Sequence, residues 1–550
     1  MIVSRSFPEV GPAPGYPTGW EVMRPRVGGP ATCGVGAWGG RRPTRRGVGT
    51  PCLGLYAARM SLAAEPLSRR GHGIAAGSDL LRPVPFRTDL VRKYDAAGPR
   101  YTSYPTAPQF HAGFGAADFA GLLRRGRAAG KPLSLYVHIP FCATRCFFCG
   151  CNVAIARDRG RGTRYLEDLE HEMAAAAELA GGGEREVVQV HWGGGTPTFL
   201  AAEDLAALAA MTRRHFRWAA DCEFGVEIDP RACSPEQLDA LAGAGLNRIS
   251  VGVQDLDPAV QGAVNRFQGA EQTWAVVEGA RRRGVASVNV DLIYGLPRQT
   301  REGLAATVRE VLRMAPDRVA VFNFGYLPGR FKHQSAIDPA DLPDADEKLR
   351  LLEETSATLA AAGYLFIGMD HFARPEDPLA RALRDRTLTR NFQGYSTCGD
   401  TDLVAFGASS ISSVAGGYAQ NAHGLGDYSA RVARERLATC RGLLLTAEDR
   451  LRRDVIMRLM CHSLLPKREI EAAHGLDFDA HFAAELAALQ PFAADGLVEL
   501  GAEEVAVTPA GRLLVRNLAM VFDAYLAAPT PQASPASPSP SSGVRYSRTV

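Results

Sequence analysis

YVHIPFCATRCFFCGCN, residues 136–152, decides how the rest of the chain is read. Leu133, Leu135, Val137 and Ile139 alternate with Ser134, Tyr136 and His138, the period of a strand with unlike faces. Pro140 ends the run and a loop follows with Cys142, Cys146, Cys149 and Cys151, so four of the eleven cysteines fall within ten residues. The C-x3-C-x2-C spacing differs from the paired C-x2-C units of zinc sites and from ferredoxin runs of four thiolates. Three thiolates on one loop suit a 4Fe-4S cluster with one iron left open. Zinc, or unliganded core or redox cysteines, are the competing readings.

Outward from this loop, strands and helices alternate. Strands are expected at 133–139, 187–192, 223–228, 248–253, 287–293 and 318–324, and helical periodicity at 164–180, 202–217, 235–244, 271–283 and 302–314. Such alternation predicts βα units, a parallel sheet and, with six units, a partial or open barrel. Ligands of such sheets gather at the carboxyl ends of the strands. There the chain places the cysteine loop, then Gly193-Gly194-Gly195-Thr196-Pro197-Thr198, Glu227-Ile228-Asp229-Pro230-Arg231, Gln254-Asp255 with Asn265-Arg266, Asp291 through Pro297, and Phe324 through Pro328. The triple glycine is either a tight turn or a place where a ligand meets bare backbone. Glu227 or Asp291 alone would read as a solvated strand end. Recurrence at one rim marks them as functional. His138 should point into the barrel, as a hydrogen-bonded interior residue or in a substrate or proton role.

Length and charge bound the rest. The 550 residues are 46% hydrophobic with a formal net charge of +3, which gives no sign of a nucleic-acid partner. No apolar run reaches membrane-spanning length. Cys33, Cys52, Cys222, Cys233, Cys398, Cys440 and Cys461 are scattered singly, the usage of a reduced, cytoplasmic protein. The first 60 residues hold 20 Gly or Pro, eight Arg, two Glu and no Lys. Residues 1–80 therefore read as a disordered extension or a misplaced start. Residues 81–132 form an N-terminal arm whose Arg100, Tyr101 and Tyr104 either lie on a surface or fold over a site. The barrel is expected over 133–330, followed by a mostly helical pattern. Within 331–445, IGMDHFARPED (367–377) and the stretch 390–412 read as substrate-covering segments. A mostly helical C-terminal domain is expected over 446–526, and a Pro/Ser-rich tail over 527–550.

The cysteine loop after the first strand, with GGGTP after the second, resembles the radical S-adenosylmethionine (SAM) superfamily. PFCxxxCxFCGCN, HWGGGTPT, EIDPR, SVGVQD, NRFQ, DLIYGLP, IGMDHFA and RNFQGY together resemble the oxygen-independent coproporphyrinogen III oxidases within it. The resemblance implies an oxidoreductase that converts two propionates of coproporphyrinogen III to vinyl groups through a 5′-deoxyadenosyl radical, giving protoporphyrinogen IX in haem synthesis. It implies Cys142, Cys146 and Cys149 as ligands of one 4Fe-4S cluster. Tyr136, Gly194, Glu227 and Ile411 would line the SAM that chelates the cluster. Phe148, Gly195, Thr196, Gln254, Arg266, Asp291 and Gly325 would line a second SAM. Cys151 would be an activity-linked cysteine that is not a ligand. A low-potential donor such as flavodoxin or ferredoxin and a monomeric state are implied too. Charge makes Arg100, Arg374 and Arg390 candidates for the propionates. FNFGYLP replaces a more usual FNYAHLP, which puts Gly325 and Tyr326 in place of Ala and His. The alternative is a haem chaperone of the same superfamily, from which Cys151, IGMDHFA and RNFQGY separate this chain.

Overall fold

The structure, a computed structural model, describes residues 84–526; the expectations for 1–80 and for the tail from 527 lie outside them. Helix α1 (Ala116–Ala129) leads into six parallel strands, β1 (Leu133–Ile139), β2 (Glu186–Gly194), β3 (Arg217–Ile228), β4 (Arg248–Gln254), β5 (Ser287–Tyr294) and β6 (Arg318–Asn323). Helices α2 (Gly160–Ala180), α3 (Ala202–His215), α4 (Pro235–Gly243), α5 (Ala270–Arg282) and α6 (Arg301–Arg313) connect them. The six units lie where hydrophobic periodicity puts them.

The reason lies in the two faces of the sheet. Leu133, Leu135, Val137 and Ile139 of β1, with Val190 and Trp192 of β2 and Phe224 and Val226 of β3, are fully buried in one continuous core under the helices. The opposite face is polar, layer by layer. Ser134 donates to Gln189 at 2.7 Å, Gln189 to Glu223 at 2.8 Å, and Arg248 to Glu223 at 3.0 Å. Strands of a parallel sheet packed on both faces are usually apolar throughout. A polar inner face instead belongs to a sheet wrapped around a ligand space.

Beyond residue 330 the sequence expectation of a mostly helical pattern needs correction. After α7 (Ala345–Ala361) come β7 (Leu365–Gly368), β8 (His371–Ala373), the hairpin β9 (Thr389–Asn391) and β10 (Gly394–Ser396), then β11 (Asp402–Phe406), β12 (Ile411–Val414), β13 (Gly417–Asn421) and, beyond α8 (Leu425–Glu435), β14 (Thr439–Leu444). The resulting sheet has twelve strands in the order β14-β13-β12-β11-β1-β2-β3-β4-β5-β6-β8-β7, and its ends do not pair with each other. Strand β11 runs parallel to β1 with Leu403 opposite Ser134. Its residues DLVAF are all buried, so no polar alternation announces the strand. The hairpin β9–β10 and β11 occupy the stretch expected to be a loose cover.

Helix α9 (Ala447–His462) begins the helical C-terminal region, which adds the small sheet of β15 (Leu464–Pro466), β16 (Val498–Leu500) and β17 (Glu504–Val507). The region has its own apolar core, and Tyr101 and Tyr104 belong to it, 1% and 0% exposed. Tyr101 donates to Asp523 at 2.9 Å, so these two tyrosines anchor the arm rather than face a ligand.

Asp402 ties β11 to the sheet. Its Oδ2 accepts from Arg185 Nη2 at 2.6 Å and its Oδ1 from the Ala415 amide at 3.0 Å, with both ionic side chains almost fully buried. Removing one partner of a buried pair strands the other charge, so Asp402→Ala should cost about 3–5 kcal/mol. The check is the denaturation midpoint of the variant against its parent.

Candidate functional site

The cysteine loop leaves β1 at Pro140 and is held from every side. The Ala154 amide donates to the Pro140 carbonyl at 2.6 Å and the Ala156 amide to the Cys142 carbonyl at 3.0 Å. After β4, Val264 and Asn265 hold Phe147 and Arg145 at 2.9 Å each. His333 reaches the Cys149 carbonyl at 2.7 Å. The glycine loop approaches from β2. Gly195 N donates to the Ile139 carbonyl at 2.8 Å and Thr196 N to the Phe141 carbonyl at 2.9 Å. A Cβ on Gly195 would fall 2.5 Å from the Phe141 oxygen, and one on Gly193 would fall 2.6 Å from the Glu227 carboxyl. Only bare backbone lets the two loops close on each other.

Between them lies a cavity of about 190 Å3, lined by Cys142, Cys146, Cys149, Cys151, Phe148, Gly194, Gly195, Thr196, Glu227, Gln254, Arg266 and Asp291. Twelve of the residues that the sequence marks thus meet at one place. Tyr136 and His138 stand directly behind it. The Tyr136 hydroxyl is 3.1 Å from His138 Nδ1, and His138 Nε2 is 3.1 Å from the Asn152 carbonyl. Burial holds the His138 imidazole below its ordinary pKa, so it is neutral, and the carbonyl assigns the proton to Nε2. The other two expected residues do not line this cavity. The Gly325 carbonyl accepts from Gln334 at 3.1 Å, and Ile411 packs in a small core with Phe110, Tyr418 and Leu445.

The inner-face carboxylates behave differently from each other. Burial works to raise Glu227, but His191 at 3.2 Å and the Gly194 amide at 3.1 Å outweigh it, so its carboxyl stays below the ordinary range. Asp291 accepts from Asn289 at 2.8 Å and Ser250 at 3.1 Å. Burial, helped by the charge of Glu227, nevertheless pushes Asp291 up to about 6.

His191, Asp229 and Arg231 stand within HWGGGTPT and EIDPR, but nothing local in those motifs gives any of the three a role. Arg231 donates to Cys146 Sγ at 3.2 Å and Arg266 to the same sulfur at 3.6 Å, and both guanidiniums are anchored on Asp229. Two guanidiniums donating to one sulfur orient it and tune whatever it binds. The neighbouring Cys151 thiol holds the Cys149 thiol below its ordinary pKa.

The sequence profile of the radical SAM superfamily matches residues 136–311, and that of the HemN C-terminal domain matches residues 445–514. The oxygen-independent coproporphyrinogen III oxidase of Pseudomonas aeruginosa is 48% identical over 449 residues, 81% of this chain and 97% of that protein. The chain belongs to the oxygen-independent coproporphyrinogen III oxidase family. The enzyme of that name from Escherichia coli K12 is 48% identical over 437 residues, 80% of this chain and 95% of its own length. A solved structure described as coproporphyrinogen III oxidase (HemN) from Escherichia coli, a radical SAM enzyme, superposes with a TM-score of 0.78 at 45% identity, covering 81% of this chain and all of that one. Family membership implies a 4Fe-4S cluster and SAM.

The residues present fit such a cluster. Among the described residues no three His, Cys, Asp or Glu groups converge as they would on a single metal ion. A cluster needs less convergence, because each thiolate takes a different iron, and here three thiols ring a cavity with two guanidiniums beside it. Arg266 Nε is buried without a hydrogen-bond partner, a donor left over for a ligand. Among the described residues no helix is long and apolar enough to cross a membrane.

Gly195→Ala should displace the Phe141 carbonyl and with it the cysteine loop. Iron and sulfide content after anaerobic reconstitution should fall several-fold, while far-ultraviolet circular dichroism stays that of the parent.

Proposed function

We propose that this chain removes the carboxylates of two propionate side chains of coproporphyrinogen III without oxygen, leaving vinyl groups and giving protoporphyrinogen IX. The observation that carries this reading is the meeting of Cys142, Cys146 and Cys149 with Glu227, Arg266 and Asp291 around one cavity at the carboxyl ends of the strands. Cluster and SAM, when bound, would supply the 5′-deoxyadenosyl radical that takes a hydrogen from the propionate carbon β to its carboxylate.

The chain's own residues prepare the place. Cys142, Cys146 and Cys149 hold the cluster, and Arg231 and Arg266 donate to the Cys146 sulfur. Glu227, oriented by the Gly194 amide, offers its carboxylate to the SAM beside the cluster, with Gly194 on the cavity wall and Tyr136 behind them, while Ile411 on β12 stands off the cavity. A second SAM is assigned to Phe148, Gly195, Thr196, Gln254, Arg266 and Asp291 on the cavity wall; Gly325, the further residue expected for it, lies off that wall. Arg266 suits a carboxylate and Asp291 a ribose hydroxyl or an amino group. Both nitrogens of His138 are engaged within the loop scaffold, so we assign it a positioning role. Cys151, beside Cys149 on the cavity wall and outside the ligand set, acts on the reaction without holding the cluster. Residues 133–330 would then be the catalytic barrel, 331–445 its extension and 446–526 a C-terminal domain. We place the protein in the cytoplasm as a monomer served by a low-potential donor such as flavodoxin or ferredoxin. All nine cysteines of the described residues are free, as a reducing compartment requires.

Three measurements test this. Anaerobic incubation of the reduced, reconstituted protein with SAM and coproporphyrinogen III should yield protoporphyrinogen IX; stoichiometric haem binding without product would overturn the reading. Cys142→Ser, Cys146→Ser and Cys149→Ser should each lose the iron–sulfur chromophore and all activity, whereas Cys151→Ser should keep the chromophore. Asp291 ionises only above about 6, so SAM affinity should rise as pH increases through that value. In Asp291→Asn the rise should disappear; equilibrium dialysis at pH 5 and 8 reads both, and the stoichiometry counts the SAM molecules.

A further inference from the structure

A much larger cavity, about 780 Å3, lies between the hairpin β9–β10, the strands β11 and β12, and helix α9, and it shares no lining residue with the cluster cavity. Leu403 on its wall pairs with Ser134 near the start of β1, whereas the cysteine loop follows the far end of that strand, about 20 Å away. Whatever binds here does not meet the cluster. Charge in the sequence offered Arg100, Arg374 and Arg390 to the propionates, but none of the three lines the cluster cavity. Arg100 is paired with Asp370, Arg374 donates to the Pro316 carbonyl at 3.0 Å, and Arg390 stands on the wall of this second space.

Its chemistry is one-sided. Five arginines line it against three acids, a surplus of two positive charges. Asp454 and Glu469 are both taken by Arg458, at 2.8 and 2.6 Å, and the third acid, Asp385, is exposed. That leaves Arg386, Arg390, Arg450 and Arg453, none with a carboxylate partner among the described residues. Arg390 is the decisive group. It is 8% exposed, its guanidinium lies 4.7 Å over the Tyr395 ring, and its Nε and Nη1 are buried without a hydrogen-bond partner. A guanidinium taken out of water needs an anion to be stable there.

We propose that this cavity binds a phosphoryl group, as free phosphate or as the phosphate of a small ester, held by Arg390 and the arginines around it. Charge selects the ligand. A phosphate that is mostly dianionic at neutral pH cancels the surplus of two, which a single carboxylate does not, and its oxygens can take the forks of more than one guanidinium. The volume lies within the roughly 300–1,000 Å3 of small-molecule sites, and Leu388, Leu403 and Met457 supply apolar wall for the body of an ester. The parts of the chain outside 84–526 do not supply the anion, since they carry thirteen arginines against four acids. Hairpin, sheet and helix α9 all contribute to the wall, so an anion bound there ties the helical C-terminal region to the sheet and stabilises the folded chain by mass action. The site is independent of the proposed reaction.

Isothermal titration calorimetry of the full, anaerobically reconstituted protein with inorganic phosphate, at constant ionic strength in a buffer free of phosphate, tests the proposal. The parent should bind phosphate saturably, and its melting temperature should rise with phosphate concentration. Arg390→Gln should weaken binding by about tenfold or more, the worth of a charge-assisted hydrogen bond, and should flatten the rise in melting temperature. Arg386→Gln/Arg453→Gln, on the outer wall, weakens binding in the same direction and replaces the first variant should the buried substitution unfold the chain; melting temperature without phosphate and iron content show whether it has. Ribose 5-phosphate separates the two sources: binding tighter than that of phosphate supports an ester, and equal or weaker binding supports the free ion. The site falls if the parent shows no saturable binding, or if affinity in the folded variants stays within twofold of the parent, which would place the phosphate elsewhere, beside Arg231 and Arg266 for instance. Acetate that competes as well as phosphate at equal concentration would sink the choice of a phosphoryl group.

Discussion

Everything at the candidate site depends on how closely two backbones approach. The amides of Gly195 and Thr196 reach the carbonyls of Ile139 and Phe141 at 2.8 and 2.9 Å, and this welds the loop after β2 to the loop after β1. Side chains would hold the loops apart. With the weld in place, the cysteines face the inner rim, and Gly194 offers its amide to Glu227 at 3.1 Å. Glu227, in turn, is oriented by His191 at 3.2 Å. One close contact thus sets the positions of thiols, amide edge and carboxylate together.

The polar inner face has a cost that the fold offsets locally. Glu223 is met by Gln189 and Arg248, and Arg318 is met by both oxygens of Asp377 at 2.9 and 2.8 Å. These layers lie toward the starts of the strands, away from the cysteines. They pair most of the buried charge beneath the site, and at the cavity Arg266 keeps one donor, its Nε, without a partner. Arg390 departs from this pattern, a buried cation with no acid beside it among the described residues.

Much of this was legible in the sequence because period-2 patterns survive in strands with unlike faces. Leu133 to Ile139 alternate, and so do Phe224 to Ile228 and Ile249 to Val253, and each run became a strand within a residue or two except that β3 starts six residues earlier, at Arg217. Strand β11 stayed hidden because all five of its residues are buried. Tyr101 and Tyr104 misled for a related reason: a polar-aromatic stretch looks like a surface arm until its partner core, from Ile367 to Phe522, is present.

The sequence by itself determined the parallel core, the cysteine loop and the rim on which polar residues recur, since spacing, alternation and glycine runs are local properties. Only the tertiary structure decided that Arg231 and Arg266 share the Cys146 sulfur, that Asp291 is pushed up and Glu227 down in pKa, and that Arg390 lies buried without an anion. Each of these depends on which groups from distant strands share a low-dielectric space, and no local pattern encodes that.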